Sequence, residues 1–341
     1  MSLTDSASCP VAHADDAVSA AAIASSGAAG TITCRLSLRH AGLRELRIAY
    51  ECQGSANAPV VIVAGGISAN AHAGAHADDA RPGWWPAQVG PGLAIDSDRV
   101  RVLAIDWLGA DGELDAPIDS ADQADALAAV LDHLGIARAN AFIGCSYGAM
   151  VGLQFAVRHR QRLDQLLAIS GAHRPHPFAS AWRSLQRNIV RSGCADPQVA
   201  LSLARQLAML SYRTPEEFAQ RFAAPARIDD GIARCAAEDY LAICGERFAN
   251  AWTTTAFLRL SESIDLHHVD PTDVRVPTTL VAVSEDRLVP SADLHALAEK
   301  LPAPHRLHHL RSRYGHDAFL KEHEQIAEII GDVLASAGAR A

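Results

Sequence analysis

The N-terminal half of the chain shows two kinds of apolar pattern. Residues 31–38 and 46–52 alternate between apolar and polar positions, which is typical of antiparallel strands with one buried face. Residues 59–64 (PVVIVA) and 100–105 (VRVLAI) are continuous apolar runs of strand length. Such runs predict strands that are buried on both faces, as in a parallel sheet.

Strand and helix patterns then alternate along the chain. Ser120 is predicted as the N-cap of a helix that ends at Gly135, because apolar residues recur there at helical spacing. Further strands are predicted at residues 139–144, 166–170, 278–283 and 305–310, and further helices at residues 147–159, 291–301 and 318–335. This alternation predicts a mostly parallel sheet that is wrapped by helices.

One segment interrupts the alternation. Residues 179–268 show helical periodicity and no convincing strand pattern. We therefore predict one α/β domain, formed by residues 31–178 and 269–341, with a helical cap at residues 179–268. Residues 1–30 are rich in Ala and Ser and have neither the basic start nor the apolar core of a signal peptide, so we interpret them as a loose tail.

Composition and charge exclude several classes of protein. With 49% hydrophobic residues among 341, the chain can bury a core, which excludes disorder and fibrous repeats as its main state. A net charge of −9 repels polyphosphate, so no nucleic-acid partner is expected. No apolar run approaches the roughly 18 residues of a membrane span. Seven cysteines without CxxC spacing indicate no disulfide framework and no zinc site, and a cytoplasmic location is expected.

Gly144, Ser146 and Gly148 form a G-x-S-x-G motif between a predicted strand and a predicted helix. In this context the motif is typical of a nucleophile elbow, a sharp turn that projects the serine hydroxyl out of the sheet. The glycines permit the strained backbone, and the helix N-terminus favours developing negative charge. A chance Gly/Ser turn is the alternative, and the flanking strand and helix argue against it.

A serine hydroxyl is a poor nucleophile unless a base accepts its proton, and in folds with this elbow the partners follow in the order Ser, Asp, His. Asp286 comes after the predicted strand at residues 278–283, and His316 precedes the last predicted helix. We therefore predict Ser146, Asp286 and His316 as a catalytic triad. Glu285 is the alternative acid.

An oxyanion hole needs two backbone N–H donors near the serine. Tyr147, the residue after the nucleophile, is the first predicted donor. Gly65–Ser68 directly follows the apolar run at residues 59–64, and Ile67 is the second predicted donor. An ordinary glycine turn at a strand end is the alternative for this segment.

Several other short sequence motifs accompany these residues. Besides the elbow they are Pro82–Trp85 (PGWW), Val89–Gly92 (VGPG), Ala94–Arg99 (AIDSDR), Ser211–Thr214 (SYRT), Asp239–Leu241 (DYL) and Gly315–Phe319 (GHDAF). Over about residues 38–334 the chain resembles the homoserine O-acyltransferases of the α/β-hydrolase superfamily, acyl-CoA-dependent enzymes of methionine biosynthesis. The resemblance implies the α/β-hydrolase fold with a helical cap, a homodimer formed through that cap, and no cofactor or metal, with acyl-CoA as co-substrate.

The resemblance also implies roles for two charged residues. In the family, the arginine of the Tyr-Arg word and the aspartate after the catalytic histidine hold the amino-acid substrate. This assigns the carboxylate of L-homoserine to Arg213 and its ammonium group to Asp317, and both pairings are chemically sensible. The alternatives are a solvated cap residue for Arg213 and a helix N-terminal charge for Asp317.

The expected acyl donor is succinyl-CoA, with acetyl-CoA as the alternative. Gly65–Ala69 (GGISA) and Leu108–Gly112 (LGADG) look like the subgroup that uses succinyl-CoA. A succinyl group adds a distal carboxylate, for which Arg183 and Arg187 are candidates because they lie four residues apart on one helix face. A solvated helix face is the alternative for at least one of them.

The expected reaction is a ping-pong transfer of the succinyl group to L-homoserine through acyl-Ser146. The alternatives are homoserine O-acetyltransferase and serine O-succinyltransferase, and the elbow residues Tyr147 and Ala149, where Met and Gly are usual in the family, leave that choice open. An esterase or thioesterase would use the same triad. Arg213 and Asp317 separate a transferase from a hydrolase, because a transferase needs an acceptor site that excludes water.

Overall fold

Within residues 27–192 and 196–338, which the computed structural model describes, an eight-stranded sheet forms the centre of the molecule. The strands in chain order are β1 (Gly27–Leu38), β2 (Gly42–Gln53), β3 (Val60–Ala64), β4 (Arg101–Ile105), β5 (Ala141–Cys145), β6 (Leu166–Ile169), β7 (Arg227–Asp229), β8 (Ile232–Arg234), β9 (Thr278–Val283) and β10 (His305–Leu310). The order in the sheet is β1-β2-β4-β3-β5-β6-β9-β10. β1, β2 and β4 pair antiparallel, and the pairs from β4 to β10 are parallel.

Helices cover both faces of this sheet. The helices of the described chain, in chain order, are α1 (Ser120–His133), α2 (Tyr147–Arg158), α3 (Pro177–Arg191), α4 (Pro197–Tyr212), α5 (Pro215–Arg221), α6 (Ala236–Ala251), α7 (Thr254–Asp265), α8 (Ser291–Ala298), α9 (Ala318–Lys321) and α10 (His323–Gly338). Successive side chains of β3 enter two cores, because strand residues alternate between the faces. Ile62 packs in the core that contains Leu127 of α1, whereas Val61 packs in the core that contains Ile330 of α10. The predicted α/β-hydrolase architecture is confirmed.

Two strand predictions need correction. β1 begins at Gly27, so residues 27–30, which the sequence assigned to a loose tail, pair with β2; residues 1–26 lie outside the described residues. The segment between β6 and β9 also contains a hairpin of β7 and β8, which a purely helical interpretation missed. Asp230 and Gly231 both adopt positive φ angles, 47° and 78°, and so form the two-residue turn that Asp-Gly favours.

The helical segment lies between two paired strands of the sheet. α3 begins after β6 and α7 ends before β9, at positions close to the predicted cap limits of residues 179 and 268. α4, α6 and α7 share an apolar cluster of their own that includes Leu201, Phe248 and Phe257. In the described part of the chain, no helix has the length and apolar character that a bilayer crossing needs.

Candidate active site

The turn between β5 and α2 presents Ser146 in a strained conformation, with φ of 54° and ψ of −114°. Two glycines make this turn possible. A Cβ on Gly148 would lie 2.0 Å from the carbonyl oxygen of Ala64, and one on Gly144 would lie 2.4 Å from the carbonyl oxygen of Gly148. The G-x-S-x-G motif is thus required by close backbone approach, and it holds the serine at the carboxyl edge of the parallel strands.

Ser146, His316 and Asp286 form a continuous hydrogen-bonded relay. Oγ of Ser146 lies 2.7 Å from Nε2 of His316, and Nδ1 of His316 lies 2.7 Å from Oδ2 of Asp286. The other carboxylate oxygen of Asp286 accepts the backbone N–H groups of Leu288 and Val289, each at 2.9 Å. The side chain of Asp286 is therefore fixed before it orients the imidazole.

Glu285, the alternative acid, lies in a different environment. Its carboxylate accepts the backbone N–H of Ser312 at 2.8 Å and contacts the guanidinium of Arg311 at 3.4 Å. Glu285 thus fastens the loop that leads to His316, and Asp286 is the acid that contacts the imidazole.

The groups around His316 change its pKa and so its strength as a base. Complete burial lowers the pKa of His316, but the charge and hydrogen bond of Asp286 outweigh burial, and Asp317 adds to their effect. The net pKa lies above the ordinary histidine value. Arg183 opposes this rise, which places its positive charge within electrostatic reach of the imidazole.

The loop after β3 lies beside the nucleophile. A Cβ built on Gly66 would stand 4.0 Å from Cβ of Ser146. The carbonyl oxygen of Gly66 accepts the indole N–H of Trp107 and the backbone N–H of Ala69, each at 3.0 Å. Because C=O and N–H point in opposite directions across a trans peptide, these two bonds also fix the direction of the Ile67 N–H.

Tyr147, the other predicted oxyanion donor, begins α2 and is buried. Its phenol is hydrogen-bonded to Oγ of Ser263 on α7 at 2.7 Å, and its ring packs edge-on against Trp107 with centroids 5.1 Å apart. Trp107 therefore contacts both predicted oxyanion segments. Sequence reasoning missed this residue, although its position two residues after the end of β4 was a signal.

Arg213 and Asp317 lie in direct contact. Nε of Arg213 is 2.8 Å from Oδ2 of Asp317, and both side chains are almost completely buried. Burial excludes the solvated alternative for Arg213. Asp317 precedes α9, but its side chain makes no capping hydrogen bond there, so the structure does not support the helix-terminus alternative.

A further carboxylate, which sequence reasoning did not identify, holds the same arginine. Nη1 of Arg213 donates to Oε1 of Glu217 at 3.1 Å, whereas Nη2 makes no hydrogen bond with any described residue. Burial lowers the pKa of Arg213, but Asp317 and Glu217 raise it above the ordinary value. The guanidinium therefore stays charged and keeps one buried donor available for a ligand anion.

Arg183 and Arg187 both bind Asp265 at the end of α7. Nη2 of Arg183 lies 2.5 Å and Nη1 of Arg187 lies 2.7 Å from that carboxylate, and Arg187 also donates to Oγ of Ser261 at 3.0 Å. Neither arginine is on a solvated face, which corrects the alternative held open for at least one of them. Burial raises the pKa of Asp265, and the arginines outweigh it, leaving a charged carboxylate between them.

Side chains of the types that bind metal ions also come together outside the catalytic relay. Glu51, His72 and His76 bring one oxygen and two imidazole nitrogens to within 4.8 Å of one another. This group shares no residue with the relay of Ser146, His316 and Asp286.

Comparison with known proteins adds to this geometry. The model of the alpha/beta hydrolase fold family matches residues 59–323. The chain is 55% identical to homoserine O-succinyltransferase of Xanthomonas campestris pv. campestris, across 99% of this chain and 92% of that protein. It is 32% identical to serine O-succinyltransferase of Frateuria aurantia, across 86% and 94%. The solved structure of homoserine O-acetyltransferase from Bacillus anthracis aligns with a TM-score of 0.82 at 17% identity, covering 90% of this chain and 97% of that one.

Proposed function

Because the chain belongs to the homoserine O-acyltransferase family of the α/β-hydrolase superfamily, we propose that it transfers a succinyl group from succinyl-CoA to L-homoserine, a step of methionine biosynthesis. The observation that carries this proposal is the relay of Ser146, His316 and Asp286 beside the buried pair of Arg213 and Asp317. The relay supports acyl transfer, and the buried pair supports a zwitterionic acceptor.

In the first half-reaction, Nε2 of His316 accepts the hydroxyl proton of Ser146 while Oγ attacks the thioester carbonyl carbon. The N–H groups of Ile67 and Tyr147 stabilise the resulting oxyanion. When the C–S bond breaks, CoA leaves with the proton from His316, and the succinyl group remains as an ester on Ser146.

In the second half-reaction, His316 accepts the proton of the homoserine hydroxyl, whose oxygen attacks the acyl carbon. Breaking the bond to Oγ returns the proton to Ser146 and releases O-succinyl-L-homoserine. No cofactor takes part, because the thioester supplies the activated acyl group. Water must be excluded so that the ester on Ser146 is not hydrolysed before homoserine binds, and the helical cap supports that exclusion.

The acceptor assignments follow from charge and burial. Nη2 of Arg213 is the donor left for the homoserine carboxylate, and Asp317 offers a negative charge to the ammonium group. Asp317 is the neighbour of His316 in the chain, so an amino acid held there would present its side-chain hydroxyl close to the base.

Arg183 is the better supported of the two candidates for the distal succinyl carboxylate. Both arginines are engaged, Arg183 by Asp265 and Ser180 and Arg187 by Asp265 and Ser261, but it is the charge of Arg183 that acts on His316. A succinate carboxylate would share the Arg183 guanidinium with Asp265.

A substrate matrix tests the reaction. We expect CoA release to be fastest with succinyl-CoA plus L-homoserine, slower with acetyl-CoA or L-serine, and slowest with water as acceptor. Ser146→Ala should abolish every rate, and Arg183→Gln should lower turnover with succinyl-CoA more than with acetyl-CoA. A higher rate with L-serine would identify a serine O-succinyltransferase, and equal rates with and without acceptor would identify a hydrolase.

A second measurement separates acceptor binding from acylation. Arg213→Lys keeps the charge beside Asp317 but removes the guanidinium fork, at a cost of roughly 1.5–3 kcal/mol for a charge-assisted hydrogen bond. We expect a ten- to 150-fold fall, on the order of that energy, in kcat/KM for homoserine, with acylation of Ser146 in rapid quench unchanged. Arg221→Lys is the matched control, because Arg221 also pairs with Glu217, at 2.9 Å. An equal loss in both half-reactions would contradict the acceptor site.

We also propose a homodimer that forms through the cap, in the cytoplasm. Large apolar side chains are exposed on the cap hairpin at Ile228 and Ile232, on α4 at Leu203 and Leu210, and on α6 at Ile243. A contact between Arg227 and Asp239 ties the hairpin to the start of α6. The five described cysteines are all free thiols, in keeping with a reducing compartment.

A further inference from the structure

Glu51, His72 and His76 form a partly enclosed cluster away from the catalytic relay. Glu51 lies on β2, and the two histidines lie on the long loop that follows β3, with the H-x₃-H spacing of many metal-binding pairs. The side chains of Glu51 and His76 are 8% and 3% exposed, and that of His72 is 13% exposed. Polar groups held this far from water need partners.

The partners of His72 determine where its proton lies. Nε2 of His72 is 2.7 Å from the carbonyl oxygen of Arg81, which can only accept, so Nε2 carries the hydrogen. In the neutral ring, Nδ1 then has a lone pair, and this lone pair faces both oxygens of Glu51 at 3.0 Å. Nδ1 of His72 and the Glu51 carboxylate are then two facing hydrogen-bond acceptors, and a cation between them would bind both. A metal-binding histidine usually donates its other ring N–H to an acceptor such as a backbone carbonyl, as Nε2 of His72 does to Arg81.

His76 completes the arrangement. Its Nε2 is 3.1 Å from Oε1 of Glu51 and makes no hydrogen bond with any described residue. The amide nitrogen of Gln53 donates to the same Oε1 at 2.9 Å and so fixes the orientation of the carboxylate. A buried imidazole nitrogen without a hydrogen-bond partner is thus aimed at an oriented carboxylate.

The two nitrogen–oxygen separations of this cluster suit a metal ion of zinc size, and the two imidazole nitrogens lie within 4.8 Å of each other. With bonds of about 2.0–2.1 Å, the ligand atoms of a tetrahedral zinc lie about 3.3 Å apart. The two nitrogen–oxygen separations in the cluster, 3.0 and 3.1 Å, need only a small expansion to reach this value. Two imidazoles and one carboxylate are a donor set that suits zinc and its neighbours among the divalent transition metals.

We propose that Glu51, His72 and His76 bind one divalent transition-metal ion, with Zn²⁺ as the representative, through Oε1, Nδ1 and Nε2, respectively. Ligation through Nε2 moves the ring proton of His76 to Nδ1 and breaks the hydrogen bond from the N–H of Asp78. That bond is long, at 3.3 Å, and is therefore the weakest in the cluster.

The ion would join β2 to the loop that carries the predicted oxyanion donor. The backbone of this loop is already fixed at Ala71, whose N–H donates to Asp106, and at His72, whose carbonyl oxygen accepts the N–H of Trp84. A metal bond at His72 would add a further attachment, five residues after Ile67. Its role is structural, and it is independent of the proposed acyl transfer.

The test uses the full-length, tag-free protein. After chelation and dialysis, Zn²⁺ is titrated by calorimetry, bound zinc is counted by mass spectrometry of the metal, and thermal unfolding is followed with and without Zn²⁺. We expect one zinc per chain and a higher Tm with zinc. Glu51→Gln and His76→Asn should each lower the affinity by more than about 100-fold, because even the loss of an orienting group costs 10–100-fold.

His309→Asn is the matched control, because His309 and His295 form another pair of neighbouring rings, with centroids 4.8 Å apart. This variant should bind zinc as the wild type does. X-ray absorption of the zinc-loaded wild type should show two imidazoles with only nitrogen and oxygen ligands, a result that does not depend on variants folding. No stoichiometric zinc in the wild type, sulfur ligation, or equal affinity in folded Glu51→Gln would overturn the proposal.

Discussion

At the level of single residues, neighbouring carboxylates of the same chain segment have different tasks. Asp286 and Glu285 are adjacent, and their order along the chain did not distinguish them. The structure does, because Asp286 contacts His316 whereas Glu285 accepts the N–H of Ser312. Chain order was enough to predict the three residues that meet, but the direction of each side chain depends on a loop whose shape the sequence pattern does not reveal.

The first prediction concerns the pH dependence of acylation. Only neutral His316 can accept the Ser146 proton, so kcat/KM for succinyl-CoA should rise as the pH rises. The pKa of this ascending limb of the pH profile should lie above the ordinary histidine value. Asp286→Asn removes the charge that raises this pKa and leaves burial, which lowers it. Its residual activity should fall about 10⁴-fold, and its limb should move to lower pH.

Glu285→Gln is the control for that variant. A glutamine oxygen can still accept the Ser312 N–H, so the rate and the pH limb should stay close to those of the wild type. Stopped-flow release of CoA between pH 5 and pH 9 provides the measurement. If Glu285→Gln shifted the limb and Asp286→Asn did not, the acid would be Glu285.

The burial of Arg213 is a feature that the sequence did not predict. Glu217 follows Arg213 by four residues, and such a spacing by itself does not indicate that either group is buried. The structure buries both groups against Asp317, which no local pattern predicts, because Asp317 lies about a hundred residues later in the chain.

At the level of elements, the ends of the parallel strands converge on the elbow. The loop after β3 brings Gly66, the loop after β4 brings Trp107, and the loop after β9 brings Asp286. The strands themselves were predictable from continuous apolar runs, since they are buried on both faces. The cap hairpin was missed because its strands have three residues each and are fully exposed, which leaves no alternation to detect.

The second prediction follows from Trp107 as a positioning residue. Trp107→Phe keeps an aromatic ring against Tyr147 but removes the N–H that holds the Gly66 carbonyl. The Ile67 N–H then loses part of its fixed direction. Loss of a complete oxyanion donor costs on the order of 10²–10³ in kcat, so a misdirected donor should cost about tenfold.

The KM for succinyl-CoA should change little in Trp107→Phe, because the oxyanion forms after binding. Trp84→Phe is the control: Trp84 lies over Gly65 in the same loop, but its indole N–H makes no hydrogen bond with a described residue. Steady-state kinetics and Tm measurements on both variants are needed. A tenfold rise in KM with normal kcat, or equal losses in both variants, would contradict a positioning role.

At the level of the whole molecule, the cap and the core meet at the proposed acceptor site. Thr214, the N-cap of α5, is hydrogen-bonded to the carbonyl oxygen of Arg313 in the loop that carries His316. The ring of Tyr212 stacks beside that of His316, with centroids 6.1 Å apart. A helical insertion was predictable from its periodicity, but its docking depends on contacts between distant segments, which periodicity does not report.

The last prediction concerns the outer side of the cap. Ile228 and Ile232 of the hairpin are 73% and 56% exposed, and Ile243 lies one helical turn after Asp239, the residue that contacts the hairpin. Exposed apolar groups of this size favour burial against a second copy of the chain. In solution the protein should therefore have twice the mass of one chain by light scattering and by sedimentation.

The combination of Ile228→Asp and Ile232→Asp places charges on this surface, and it should give a folded monomer, because exposed side chains contribute little to the core of the chain itself. Leu203→Asp with Leu210→Asp repeats the test on α4. Leu43→Asp on β2, where the leucine is 51% exposed, is the matched control and should stay dimeric. A monomeric wild type, or a dimer that survives both double variants, would contradict assembly through the cap, whereas a monomer that retains acyl transfer would show that each chain holds a complete site.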